Sequence, residues 1–128
     1  MAPSADKPGA ELDALRAVTQ DYLDGMIYVD EAKLRRVFHP KCLIVGHFRG
    51  RLEYDPLDDF IAAVRQEGGP PPGTPYFAEI VSIDIAGDTA VVKSTNDYLG
   101  IRFTDFLTML KTGGRRVIVN KVFNVHAQ

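Results

Sequence analysis

An aspartate and a lysine near the end of the chain, Asp105 and Lys121, are the residues whose spacing most clearly invites chemistry. They lie in two β-prone runs, 101–111 and 115–126, joined by Thr112-Gly113-Gly114. A three-residue hairpin loop there pairs Lys111 with Arg115. Met109 then faces Val117, Leu107 faces Val119, Asp105 faces Lys121 and Phe103 faces Phe123, all on one side of the sheet. That side is otherwise apolar, with Ile101, Phe103, Leu107, Met109, Val117, Val119, Phe123 and Val125. Arg102, Thr104, Thr108, Asn120 and Asn124 lie on the other. An acid and a base are therefore expected side by side on the inward face. Such a pair is costly to bury relative to apolar replacements. It either fixes strand register or forms the floor of a pocket and orients a polar ligand group.

Other side chains join this pair as candidates. Tyr22 falls on the apolar stripe of the first helical stretch, so its hydroxyl needs a partner in the interior or at a cavity wall. Met26, Phe60 and Phe103 would supply apolar walls, and His47, on a short strand, would stand near the pocket mouth. Asp105 and His47 are the candidates for proton transfer. His39 stands at a helix end, where it can cap the last carbonyls, and His126 is expected in solvent near the chain end. Cys42 sits in a strand-like run and reads as packing rather than as a nucleophile. The three histidines are far apart and there is no cysteine pair, so no metal site is expected. Gly68-Gly69 is followed by prolines, which have no N–H to offer a phosphate. No Gly-x-Ser-x-Gly elbow is present, and no cofactor is implied.

The elements that would hold these residues follow from periodicity. Residues 1–9 read as a disordered tail, and 10–128 as one domain. Leu12, Leu15, Val18, Tyr22 and Met26 recur at helical spacing over 10–28. Gly25 within that stretch implies a close approach to its backbone. Asp30 caps a second helix over 31–38, ended by His39-Pro40. A short strand covers 42–47, with a turn at 48–51. Asp55-Pro56 starts a third helix containing Leu57, Phe60, Ile61 and Val64. Residues 68–75 (GGPPPGTP) form a loop suited to a flap or rim. The period then becomes two, giving strands over 76–86, 89–98, 101–111 and 115–126. The segregated order predicts an α+β fold, with three helices packed on one face of a curved antiparallel sheet.

With 45% hydrophobic and 25% charged residues and a net charge of −2, the chain has the make-up of a globular domain. It lacks the basic excess that nucleic-acid binding requires. No apolar run approaches the ~20 residues that cross a bilayer. The polar start, without a signal-peptide stretch, and the single cysteine make the cytoplasm the expected location.

Three stretches resemble the bacterial family described as "putative lumazine-binding", within the nuclear transport factor 2-like (NTF2-like) superfamily. They are Tyr22-Leu23-Asp24-Gly25-Met26, Phe38-His39-Pro40, and Phe103-Thr104-Asp105-Phe106-Leu107 with Asn120-Lys121-Val122-Phe123. The resemblance implies a cone-like α+β barrel and a homodimer formed through the outer sheet face. Set beside ketosteroid isomerases of that superfamily, Tyr22 matches their hydrogen-bond-donating tyrosine and Asp105 their oxyanion-hole acid. Their base falls on Gly46, which cannot move a proton, and His47 beside it points to the opposite face. Lys121 would also favour the ionised form of Asp105. Both departures argue against isomerase activity. The leading expectation is a binding domain for a small apolar molecule. The alternatives are a cyclase, dehydratase or isomerase, and a dimeric interaction module with no cavity above ~100 Å3.

Overall fold

The computed structural model describes residues 8–126, so residues 1–7 of the expected tail lie outside it. The elements run α1 (Pro8–Ile27), α2 (Glu31–Val37), β1 (Phe38–Phe48), β2 (Arg51–Pro56), α3 (Leu57–Glu67), β3 (Ala78–Ala86), β4 (Thr89–Tyr98), β5 (Ile101–Thr112) and β6 (Arg115–Val125). The three helices pack on a six-stranded sheet of order β2-β1-β6-β5-β4-β3, which remains unclosed. The α+β expectation holds, with one change. The sheet is mixed rather than antiparallel, because β1 runs parallel to the last strand, β6.

Local chemistry explains most boundaries. Asp30 caps α2, its carboxylate accepting from the Lys33 N–H at 3.1 Å. Gly25 is where α2 meets α1. A Cβ there would stand 2.9 Å from the Leu34 side chain and 3.3 Å from its backbone nitrogen. The third helix begins one residue later than expected: Pro56 is its N-cap, and Asp55 belongs to β2. Residues 51–56 form a strand hydrogen-bonded back to β1. At the far end, buried Arg116 of β6 pairs with Glu11 of α1 and donates to the Asp88 carbonyl at 2.6 Å.

The closing hairpin departs from the expected register in two steps. Gly113 and Gly114, at φ of 58° and 80°, make a two-residue turn, so that Thr112 pairs with Arg115. Primed two-residue turns match the twist of antiparallel strands, and glycine adopts their left-handed backbone without strain. That first step alone would turn Lys121 to the outer face. A bulge between Thr108 and Met109 then shifts the register again, leaving Val119 without a cross-strand partner. Leu107 therefore opposes Lys121, and Asp105 opposes Phe123. Ile118, fully buried opposite Met109, takes the core place expected for Val117 and Val119. Asp105 and Lys121 both stay on the inner face, diagonal to one another rather than directly opposed.

Candidate functional site

Beneath the helices lies a cavity of about 140 Å3. Its deep wall is formed by Tyr22 and Met26 of α1, Asn96 of β4, Asp105 of β5, and Lys121 and Phe123 of β6. Exposed Ala63, Glu67 and Leu99 mark its mouth. A void of this size suits a single small ring: an apolar cavity of about 150 Å3 accommodates benzene.

Asp105 is only 1% exposed and organises one side of the floor. The Tyr22 hydroxyl donates to its Oδ2 at 2.7 Å, while its Oδ1 has no hydrogen-bond partner in the protein. Burial, reinforced by the adjacent carboxylate, pushes the Tyr22 hydroxyl far above its ordinary pKa and keeps it a donor. Asn96, fully buried on β4, has neither its Oδ1 nor its Nδ2 satisfied within the protein. Two residues that line the cavity thus hold three buried polar atoms whose hydrogen-bonding capacity is unused within the protein.

Lys121, 5% exposed, stands on the other side. No carboxylate of the described residues lies within 4.0 Å of its Nζ. The nitrogen is caged by soft groups instead: 4.9 Å from the Tyr22 ring centre, 4.7 Å from Phe60, 5.8 Å from Phe123 and 3.9 Å from Met26 Sδ. Burial lowers the amine's pKa, opposed chiefly by Asp105 and then by Cys42 and Glu53. The expected side-by-side ion pair is thereby corrected to two buried charges that act on each other across a gap set by the bulge.

Six of the seven expected ligand-binding residues line this cavity: Tyr22, Met26, Phe60, Phe103, Asp105 and Lys121. His47 does not. It is exposed, and strand alternation aims it away from the face to which Ile44 and Gly46 belong. His47 is therefore withdrawn as a proton-transfer candidate, leaving Asp105. The other histidines are engaged elsewhere: His39 Nδ1 accepts from the Lys41 N–H at 3.0 Å, and His126 Nε2 meets Thr104 Oγ1 at 2.6 Å. The Cys42 thiol is buried and pushed up to about 12 by that burial, in keeping with a packing role. Residues 68–75 contribute nothing to the cavity wall. That loop lies against the end of α1, where the Tyr28 hydroxyl donates to the Thr74 carbonyl at 2.5 Å.

Among the wall residues that the sequence reading missed are Glu53 and Asn96. Glu53 sits opposite Gly46 on β2, and burial raises its carboxyl pKa. Alternation over residues 51–56 would have turned it inward, had that stretch been read as a strand. For Asn96 the signal was the run Ala90, Val92, Ser94, Asn96, which places two polar residues on the buried face of β4. Gly46 itself has a packing reason, since a Cβ there would meet the Phe123 ring at 2.7 Å. Gly46→Ala should therefore cost about 1–2 kcal/mol through overpacking, readable as a lower urea midpoint at unchanged slope.

A family model described as "Putative lumazine-binding" matches residues 10–124. An NTF2-like protein of unknown function from Silicibacter pomeroyi superposes with a TM-score of 0.90 at 34% identity, over 94% of this chain and 100% of that one. A second NTF2-like protein of unknown function, from Shewanella baltica, gives 0.85 at 26% identity over 96% and 99%. The protein named aldolase FrzH, from Cladobotryum sp, is 27% identical over 117 residues, covering 90% of this chain and 91% of that protein.

Proposed function

Since the chain belongs to the "Putative lumazine-binding" family and has the NTF2-like fold, we propose that it binds a small ring compound bearing a carbonyl group. The ring occupies the cavity between Phe60, Phe103 and Phe123, and the polar end meets Asn96, Asp105 and Lys121. The observation that supports this reading is the set of unsatisfied buried atoms on two residues lining the cavity, Asn96 Nδ2 and Oδ1 with Asp105 Oδ1. A binding site has this composition: mostly hydrocarbon, with a few convergent polar groups. Cyclohexanone and lumazine, each with a ring carbonyl, are suitable probes for calorimetric titration. Wild-type chain should bind at least one of them. Tyr22→Phe, which removes the donor holding Asp105 in place, should weaken that binding about tenfold, or 1.4 kcal/mol. Absence of binding by either compound overturns the reading.

An enzymatic reading of the same cavity is favoured by the relative named an aldolase. Asp105 and the burial-raised Glu53 would then be the groups able to take a proton from carbon. Pairing of two copies through the outer sheet face is supported by Phe106 and Val122, 43% and 42% exposed on neighbouring strands. Sedimentation should then show a dimer that Phe106→Glu dissociates; a monomeric wild type rejects the pairing. Among the described residues no helix is long and apolar enough to cross a membrane.

A further inference from the structure

We infer that Lys121 is a nucleophilic amine that forms a Schiff base with the carbonyl carbon of the bound molecule. This deepens the binding reading above and rests on it, because the ligand must bring a carbonyl to the cavity floor.

Placement is the first support. Lys121 Nζ lies on the cavity wall, and the contacts that hold it are three aromatic faces and a thioether sulfur. A structural ammonium is ordinarily satisfied by carboxylates or carbonyls, each N–H on an oxygen. Among the described residues no oxygen accepts a hydrogen bond from Lys121 Nζ, so the amine's hydrogen-bonding capacity is left for an entering molecule. Aromatic faces favour the charged form by about 2 kcal/mol when desolvated. Burial acts in the opposite direction, opposed chiefly by Asp105, and lowers the amine's pKa, which enlarges the share of neutral amine. Desolvation in an apolar pocket is an established way of activating a lysine toward carbonyls.

The remaining wall groups complete the chemistry. The Nζ lone pair forms a bond to the carbonyl carbon while the C=O π pair moves to oxygen. Transfer of a proton from nitrogen to that oxygen gives a neutral carbinolamine. Protonation of its hydroxyl and loss of water leave a carbon–nitrogen double bond, the iminium. Asp105 Oδ1, unsatisfied and on the same wall, can then accept a proton from the adjacent carbon, whose bonding pair forms the enamine. For a β-hydroxy carbonyl ligand, the base instead takes the hydroxyl proton. The carbon–carbon bond breaks, its electron pair forming the same enamine and the hydroxyl carbon leaving as an aldehyde or ketone. No oxidant or reductant is consumed. The Tyr22 hydroxyl, bonded to Asp105 Oδ2, fixes the carboxylate that performs either step.

The test uses the full chain with cyclohexanone and sodium cyanoborohydride, which reduces an iminium to a stable secondary amine. Peptide mapping by mass spectrometry then reports the labelled site. The expected result is one cyclohexyl group on Lys121, acquired faster than on exposed Lys41, because burial leaves more of this amine neutral. Lys121→Met, checked for folding by circular dichroism, should lose that label and retain the slow surface background. Because the map is site-resolved, the wild-type chain decides the matter even where the variant fails to fold. Calorimetric binding of cyclohexanone without label on Lys121 overturns the Schiff base and leaves the binding reading standing. Absence of label together with absence of calorimetric binding by both cyclohexanone and lumazine overturns both.

Discussion

Near pH 6, Asp105→Asn is expected to be about 3 kcal/mol less stable than the wild-type chain, and the deficit should shrink as the pH is raised toward about 10. Asp105 is the largest influence holding the Lys121 pKa up against burial. Asparagine can still accept from the Tyr22 hydroxyl, so that hydrogen bond does not distinguish the two chains. What the substitution removes is the charge facing the buried amine. The other groups acting on Lys121 come from β1 and β2, Cys42 and Glu53, with Tyr22 of α1 beneath it. Cys42, at about 12, and Tyr22, higher than usual, stay neutral across this range.

The sign follows from proton counting. A lysine whose folded pKa lies below its unfolded value of about 10.4 binds fewer protons when folded, so stability rises with pH between those two values. Below the folded pKa both states carry the proton, and the cost of burying it is felt in full. Replacing Asp105 pushes the folded pKa lower still, and the variant gains stability with pH over a wider window than the wild type. The two stability curves therefore converge as the solution becomes alkaline. Urea unfolding at successive pH values measures both curves. A deficit constant with pH would mean that lost packing, not charge, is responsible.

The parts of this site that the sequence disclosed, and those it hid, differ by a physical criterion. Helical spacing placed Tyr22 and Met26 on the inner face of α1, and period-two alternation placed Phe103 and Asp105 on the inner face of β5. Both depend on neighbours close in the chain. Lys121 reached its expected face for a different reason: a shorter turn and a bulge each moved the register by one residue, and their effects on facing cancelled. No local pattern announces a bulge. The parallel pairing of β1 with β6 was likewise invisible, because it joins strands separated by most of the fold. His47 was placed near the pocket mouth by its position on a short strand, although alternation already turned it to the face opposite Gly46. Glu53 was lost when a strand was taken for a turn and a cap.

Asn96 carries the second large effect, and its sign is opposite to that of most core substitutions. Asn96→Leu is expected to stabilise the ligand-free chain by about 2 kcal/mol while weakening binding of a carbonyl probe at least tenfold. Both amide atoms are fully buried without a partner in the protein, and a buried unsatisfied polar group costs about 1–3 kcal/mol. Leucine removes that cost at a residue that lines the cavity. An amide kept for architecture would be hydrogen-bonded, and its loss would destabilise the fold. An amide kept for a ligand leaves the empty fold under strain and is compensated only on binding, which is the usual trade between stability and activity at a working site. Urea unfolding without ligand, and calorimetric titration of cyclohexanone or lumazine, separate the two cases. A less stable variant with undiminished affinity would make Asn96 a structural residue and remove the main support for a ligand at this wall.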